Sequence, residues 1–129
     1  MKTLTETNAE VTYDQVLRAV VVNWKGFADS DQCKKILEHS LAMIKERKSS
    51  IWISDMVHGK AIPRDIVEWL QKNFVPRAKQ YGINKMAFLV TGNAFGKLYA
   101  ANLKAATKQL NVDMKSFDSK QELENWLYT

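Results

Sequence analysis

Ser54, Asp55 and His58 lie within five residues of one another and carry the three side chains of a hydrolytic triad. A triad needs its base in contact with the nucleophile and a third group orienting the base. Neighbouring residues of a strand point to opposite faces, so Ser54 and Asp55 diverge if this segment is extended. The stretch 92-GNAFGKL-98 offers a second chemistry, phosphate binding. A phosphate-cradling loop has the form G-x-x-x-x-G-K-[ST], closing on a hydroxyl that holds magnesium. Here three residues separate the glycines and Leu98 stands at the hydroxyl position, so both the wrap and the metal ligand are missing.

Metal binding fails on the ligand types. His39 and His58 are the only histidines and Cys33 the only cysteine, and no pair of them has a structural-zinc spacing. Asp65 falls in a helical first turn, where a carboxylate favours the helix dipole. These residues lead to no catalytic group, no metal site and no cofactor. What remains is a polar cluster, Asp55, His58, Lys60, Arg64, Thr91 and Asn93, at the ends of two strand-like runs. The chemistry open to it is non-catalytic binding of a protein partner or a small anionic ligand. An ordinary solvated loop is the competing reading.

The elements that position this cluster are legible as patterns. Ala9–Tyr13 and Leu17–Trp24 read as an antiparallel hairpin, the second strand carrying the β-branched run Val20-Val21-Val22. In 29-DSDQCKKILEHSLAMIKERK-48, Asp29 and Gln32 form a capping-box pattern. Cys33, Ile36, Leu37, Ser40, Leu41 and Ile44 follow helical spacing and place Cys33 and Ser40 on a core-facing stripe. Ile51–Ser54 reads as a third strand. Pro63 opens a second helix with Ile66, Trp69, Leu70 and Phe74 inward, and Pro76 must kink or break it. Lys85–Thr91 reads as the fourth strand, Ala94–Gln109 as a helix and Val112–Phe117 as the fifth strand. Ser119 and Glu122 cap a last helix with Leu123, Trp126 and Leu127 inward.

The expected fold is therefore α/β, a mixed five-stranded sheet in the order β-β-α-β-α-β-α-β-α, mostly parallel after the hairpin, with right-handed crossovers. The 129 residues form one domain, 1–129, with 1–7 polar and frayed. Apolar residues make up 46% and charged residues 26% of the chain, the balance of a soluble globular protein. No run approaches the ~20 apolar residues of a membrane span, and the first residues lack a signal-peptide core. With a single cysteine, a cytoplasmic location is expected. The net charge of +5 is spread along the chain without an arginine-rich arm, which argues against nucleic acid. Trp24, Trp52, Trp69 and Trp126 are many for this length, and an exposed one would support a homodimer.

Trp24-Lys25-Gly26 ending a strand, Asp55, Glu68-Trp69-Leu70, Phe74-Val75-Pro76-Arg77-Ala78 and Trp126-Leu127 together resemble a family of small bacterial STAS-like proteins. That family is similar to the anti-sigma factor antagonists and is also related to the CRAL-TRIO lipid carriers. The resemblance spans about Ala9 to Leu127. It implies a STAS-like fold and a regulatory interaction module, with a small-ligand or lipid carrier as the alternative. In the antagonists a D-S-S-G serine after the third strand is phosphorylated. The matching 58-HGKAIPRD-65 has no serine or threonine, so the resemblance does not carry that switch over.

Overall fold

The computed structural model describes residues 3–128. Six strands form one sheet: β1 (Leu4–Thr5), β2 (Ala9–Asp14), β3 (Ala19–Gly26), β4 (Ile51–Gly59), β5 (Lys85–Leu89) and β6 (Asp113–Phe117). Helices α1 (Ser30–Arg47), α2 (Arg64–Trp69), α3 (Val75–Gln80), α4 (Ala94–Ala106) and α5 (Lys120–Leu127) connect and follow them. The α/β class is as expected. The strand number is not: Leu4 and Thr5 pair with Val11 and Glu10, adding a sixth strand inside the segment expected to fray. Met1 and Lys2 of that segment lie outside the described residues.

Strand order across the sheet equals chain order, β1 to β6. The pairs β1–β2 and β2–β3 are antiparallel, and β3–β4, β4–β5 and β5–β6 are parallel. Crossovers of one hand that all step the same way place their helices on one face. Accordingly Ile36, Leu37 and Ile44 of α1, Ile66 of α2, Val75 and Ala78 of α3 and Tyr99 and Leu103 of α4 share one core with Val20, Val22, Trp52, Met86 and Phe88. Among the described residues only α5 packs on the opposite face, where Leu123 and Leu127 meet Ala19, Ile53, Ala87, Leu89 and Phe117.

The caps explain the boundaries. Asp29 accepts from Gln32 N–H at 2.8 Å while Gln32 accepts from Asp29 N–H at 2.9 Å, completing the capping box. Asp14 accepts from Val16 and Leu17 N–H in the hairpin turn, which is longer than the sequence pattern suggests. As expected around Pro76, the segment divides into two short α-helices, α2 and α3. Residues Leu70–Phe74 widen to a π-helix that joins α2 to α3, and Val75 N–H donates to Leu70 O. Proline cannot donate to the carbonyl four residues back and crowds it, and the wider turn accommodates the ring.

Two indoles cross the main core with their N–H groups satisfied. Trp24 Nε1 donates to Ser54 Oγ at 3.1 Å and Trp52 Nε1 to Ser40 Oγ at 3.3 Å. Ser40 in turn donates to Leu37 O at 2.7 Å. A hydroxyl on the apolar stripe of α1 is thus the partner of a fully buried tryptophan. Cys33 lies on the same stripe, buried, and burial pushes its thiol up to about 12, with Asp29 and Asp65 adding to the rise.

Candidate functional site

β4 does not stop at Ser54. It continues to Gly59, with a register shift against β3 between Asn23 and Lys25, so the junction containing Asp55 and His58 is strand. A side chain at its end would be tight: a Cβ on Gly59 would stand 3.1 Å from Trp24 Cβ. The remaining loop is short. Lys60 N–H donates to Gly26 O, and Pro63 leads into α2 at Arg64 rather than forming its first turn.

The six residues of the polar cluster separate into distinct environments. Asp55 accepts from Val57 N–H and lines a depression of about 350 Å³ between β2–β4 and α5, with Thr12, Asn23 and Lys120. Arg64 lines a different concavity, on the helix-covered face. His58 and Lys60 are exposed. Thr91 donates its hydroxyl to Asp118 O, tying the end of β5 to the turn before α5. Asn93 is buried. Its side-chain Nδ2 donates to Met56 O and Gly59 O, and its Oδ1 accepts from Gly96 N–H at 2.9 Å. Asn93 is therefore the cap of α4 and its tie to β4, with the amide fully engaged.

The same geometry accounts for 92-GNAFGKL-98. Gly92 adopts φ +63°, the left-handed conformation a turn of this shape needs. A Cβ on Gly96 would come within 3.2 Å of Val90 and 3.4 Å of Met56, so glycine lets α4 close onto the sheet. Lys97 pairs with Asp118 at 3.1 Å. One of the first-turn donors, Gly96 N–H, is taken up by Asn93, and each of these residues has a place in the architecture.

A larger concavity than the one beside Asp55 lies between α2 and α4. It is an open groove of about 590 Å³ that begins at Ala61 and Ile62 of the β4–α2 loop. Arg64, Val67, Glu68 and Gln71 form one wall, at the spacing of a single helical stripe. Phe95, Leu98 and Asn102 form the other, and Tyr99 lies at the base. Phe95 is 64% and Leu98 62% exposed, though each is a large apolar side chain on a helix whose inner stripe is already filled by Tyr99, Ala100 and Leu103. Burial, reinforced by nearby Cys33, raises the Tyr99 phenol above its ordinary value. Along the groove wall Lys72 binds Glu68 at 2.7 Å and holds its carboxyl below the usual range, first by hydrogen bonding and then by charge. Among the described residues Lys60 and Arg64, at the loop end, form no ion pair.

Sequence reasoning found Arg64 but missed Phe95 and Leu98. Their signal was present: two large apolar residues one turn apart, displaced from the stripe that faces the core. The tryptophans do not supply the exposed apolar surface. Trp24 and Trp52 are buried and Trp69 and Trp126 half-buried, whereas Val16, Phe27, Phe95, Leu98 and Tyr128 are exposed. Among the described residues no group of three or more histidine, cysteine, aspartate or glutamate side chains converges as a metal site, and no helix is long and apolar enough to cross a membrane. No protein-family model, curated protein or solved structure gives a significant match to the chain, so the functional reading rests on its geometry and chemistry.

Proposed function

We propose that this protein is a non-catalytic, STAS-like interaction module with a regulatory role, which binds a protein partner through the groove between α2 and α4 and the β4–α2 loop beside it. The observation that carries the reading is the exposure of Phe95 and Leu98 on the groove wall. Each leaves apolar area in water that a partner would cover, at roughly 25 cal/mol per Å². Both walls present residues at helical spacing, so the fitting guest is an amphipathic helix with an apolar stripe between them. Lys60 and Arg64 favour an acidic residue at the loop end of that guest.

The STAS-like resemblance supports the same region, since the segment after β4 corresponds to the partner-binding segment of the anti-sigma factor antagonists. With no serine or threonine in 58–65, control by phosphorylation there is not part of the proposal. A cytoplasmic setting fits the single buried thiol. The carrier alternative calls for an apolar chamber that encloses its cargo, whereas this groove is open along its length.

The test uses two variants, Phe95→Asp/Leu98→Asp and Lys60→Ala/Arg64→Ala, with melting curves confirming that each folds. Proteins retained by the wild type should be lost by the first variant and weakened by the second. Retention of every partner by both variants refutes the assignment of the groove.

A further inference from the structure

The sheet has a second feature suited to recognition, independent of the groove. β6 is the last strand, and among the described residues nothing pairs with its outer side. Asp113 N–H donates to Asn84 O at 3.0 Å, and Phe117 O accepts from Val90 N–H at 2.9 Å. A parallel ladder turns alternate residues of a strand toward its neighbour. Asp113, Lys115 and Phe117 therefore direct their main-chain groups to β5. Met114 and Ser116 direct theirs outward, leaving two N–H donors and two C=O acceptors on a free edge.

Concavities accompany this edge along its length. One, of about 370 Å³, is bounded by Lys104, Lys108, Asp113, Met114 and Trp126. The other, of about 380 Å³, is bounded by Lys115, Phe117, Glu122, Asn125 and Trp126. Strand addition uses such an arrangement: main-chain bonds supply affinity and flanking pockets take alternate side chains of the added segment. Cations outnumber carboxylates in these two linings, Lys104, Lys108 and Lys115 against Asp113 and Glu122, which favours an acidic guest. Lys104, Lys108 and Lys115 are exposed and form no ion pair among the described residues. Lys115 Nζ lies 5.5 Å from the Phe117 ring centroid, on the α5 face of the strand.

A second copy of this chain fits poorly. Antiparallel self-pairing with maximal overlap sets Met114 opposite Ser116 of the other copy and Lys115 opposite its own equivalent. That places like charges on directly facing residues, which opposes pairing. The same lysine opposite a glutamate or aspartate favours it.

We infer that the β6 edge accepts an extended acidic segment of a protein partner as a seventh strand, bonded to Met114 and Ser116 and with its acidic side chains on the face of Lys115. The probe is a labelled, capped peptide of sequence Ser-Glu-Val-Glu-Val-Glu-Ser, with a counterpart in which lysine replaces glutamate. Fluorescence anisotropy gives affinity, and amide chemical shifts of the full chain give location. The acidic peptide should bind and move the Met114 and Ser116 amide signals, and the lysine peptide should not bind. Lys115→Glu should weaken binding by roughly tenfold or more. Ser116→Pro removes one outward donor at an edge, where proline is tolerated, and should weaken it further. If Ser116→Pro fails to fold, Lys115→Glu carries the test alone. Equal binding of the two peptides, no binding of either, indifference to Lys115→Glu, shifts confined to the α2–α4 groove, or pairing of two chains through β6 would each overturn the inference.

Discussion

Asn93 donates its side-chain amide to the main-chain carbonyl of Met56, so the first residue before α4 is fastened to the C-terminal half of strand β4. The same side chain caps α4 through Gly96 N–H. Asn93→Ala removes these two bonds and the third, to Gly59 O, and leaves buried backbone groups unpaired. A loss of about 2–4 kcal/mol is expected in urea unfolding. Asn93→Asp, which keeps the acceptor but not the donor, should also destabilise. A change below ~0.5 kcal/mol for the alanine variant would contradict the role assigned here.

Ser40→Ala leaves the indole N–H of buried Trp52 without its acceptor. The expected cost is about 1–3 kcal/mol by chemical denaturation. A control is Ser30→Ala, whose hydroxyl donates to Asp65 at an exposed site and should matter less.

Gly96→Ala inserts a methyl group against Val90, Asn93 and Met56. Its better helix propensity is opposed by crowding, and destabilisation of about 1–3 kcal/mol is expected from thermal melts. An unchanged or raised melting temperature would mean that α4 does not approach the sheet this closely.

Cys33 supplies a pH dependence with a definite sign. Its thiol titrates near 9.0 when unfolded and at about 12 when folded. Between those values the unfolded chain gives up a proton that the native chain keeps. The contribution is fully present below pH 9 and is lost as pH rises toward 12, by up to ~1.4 kcal/mol per pH unit. Cys33→Ala should flatten this part of the stability curve. A thiol reagent should react with the native protein at the rate of its opening and fast only in denaturant. Rapid labelling in native buffer would count against the buried stripe.

Phe95→Ser/Leu98→Ser should leave stability within ~0.5 kcal/mol of the wild type, because both side chains are exposed. A larger loss would show that they serve packing, not a partner.

The periodic elements were readable because patterning reports burial. The hairpin, the α1 stripe from Cys33 to Ile44 and the caps at Asp29 and Ser119 all appear where spacing and side-chain chemistry place them. What escaped lacks such a signature. Leu4–Thr5 is too short to show alternation, and it pairs because Val11 and Glu10 offer an edge. β4 runs past Ser54 because its polar residues Asp55 and His58 are held by the register with Asn23 and Lys25, a tertiary constraint. The cluster of six polar residues reflected where two strands end along the sequence, but Asp55 faces the α5 side of the sheet and Arg64 sits on α2 on the other side, which separates them. Asn93 read as a surface polar residue because nothing local reveals that Met56 and Gly59 lie within its reach.

Because strand order follows chain order from β1 to β6, the sheet can be built as the chain is synthesised. Each strand docks on the edge left by the one before it, and none has to enter between two strands already paired. At every stage one growing edge waits for the next strand, while the helix that carries the chain onward packs on the face of the sheet. The pairing partner of each strand is its nearest predecessor, which keeps loop closures short for a largely parallel sheet. β6 is the last strand laid down in this order, and among the described residues its outer side is the growth front left without a partner.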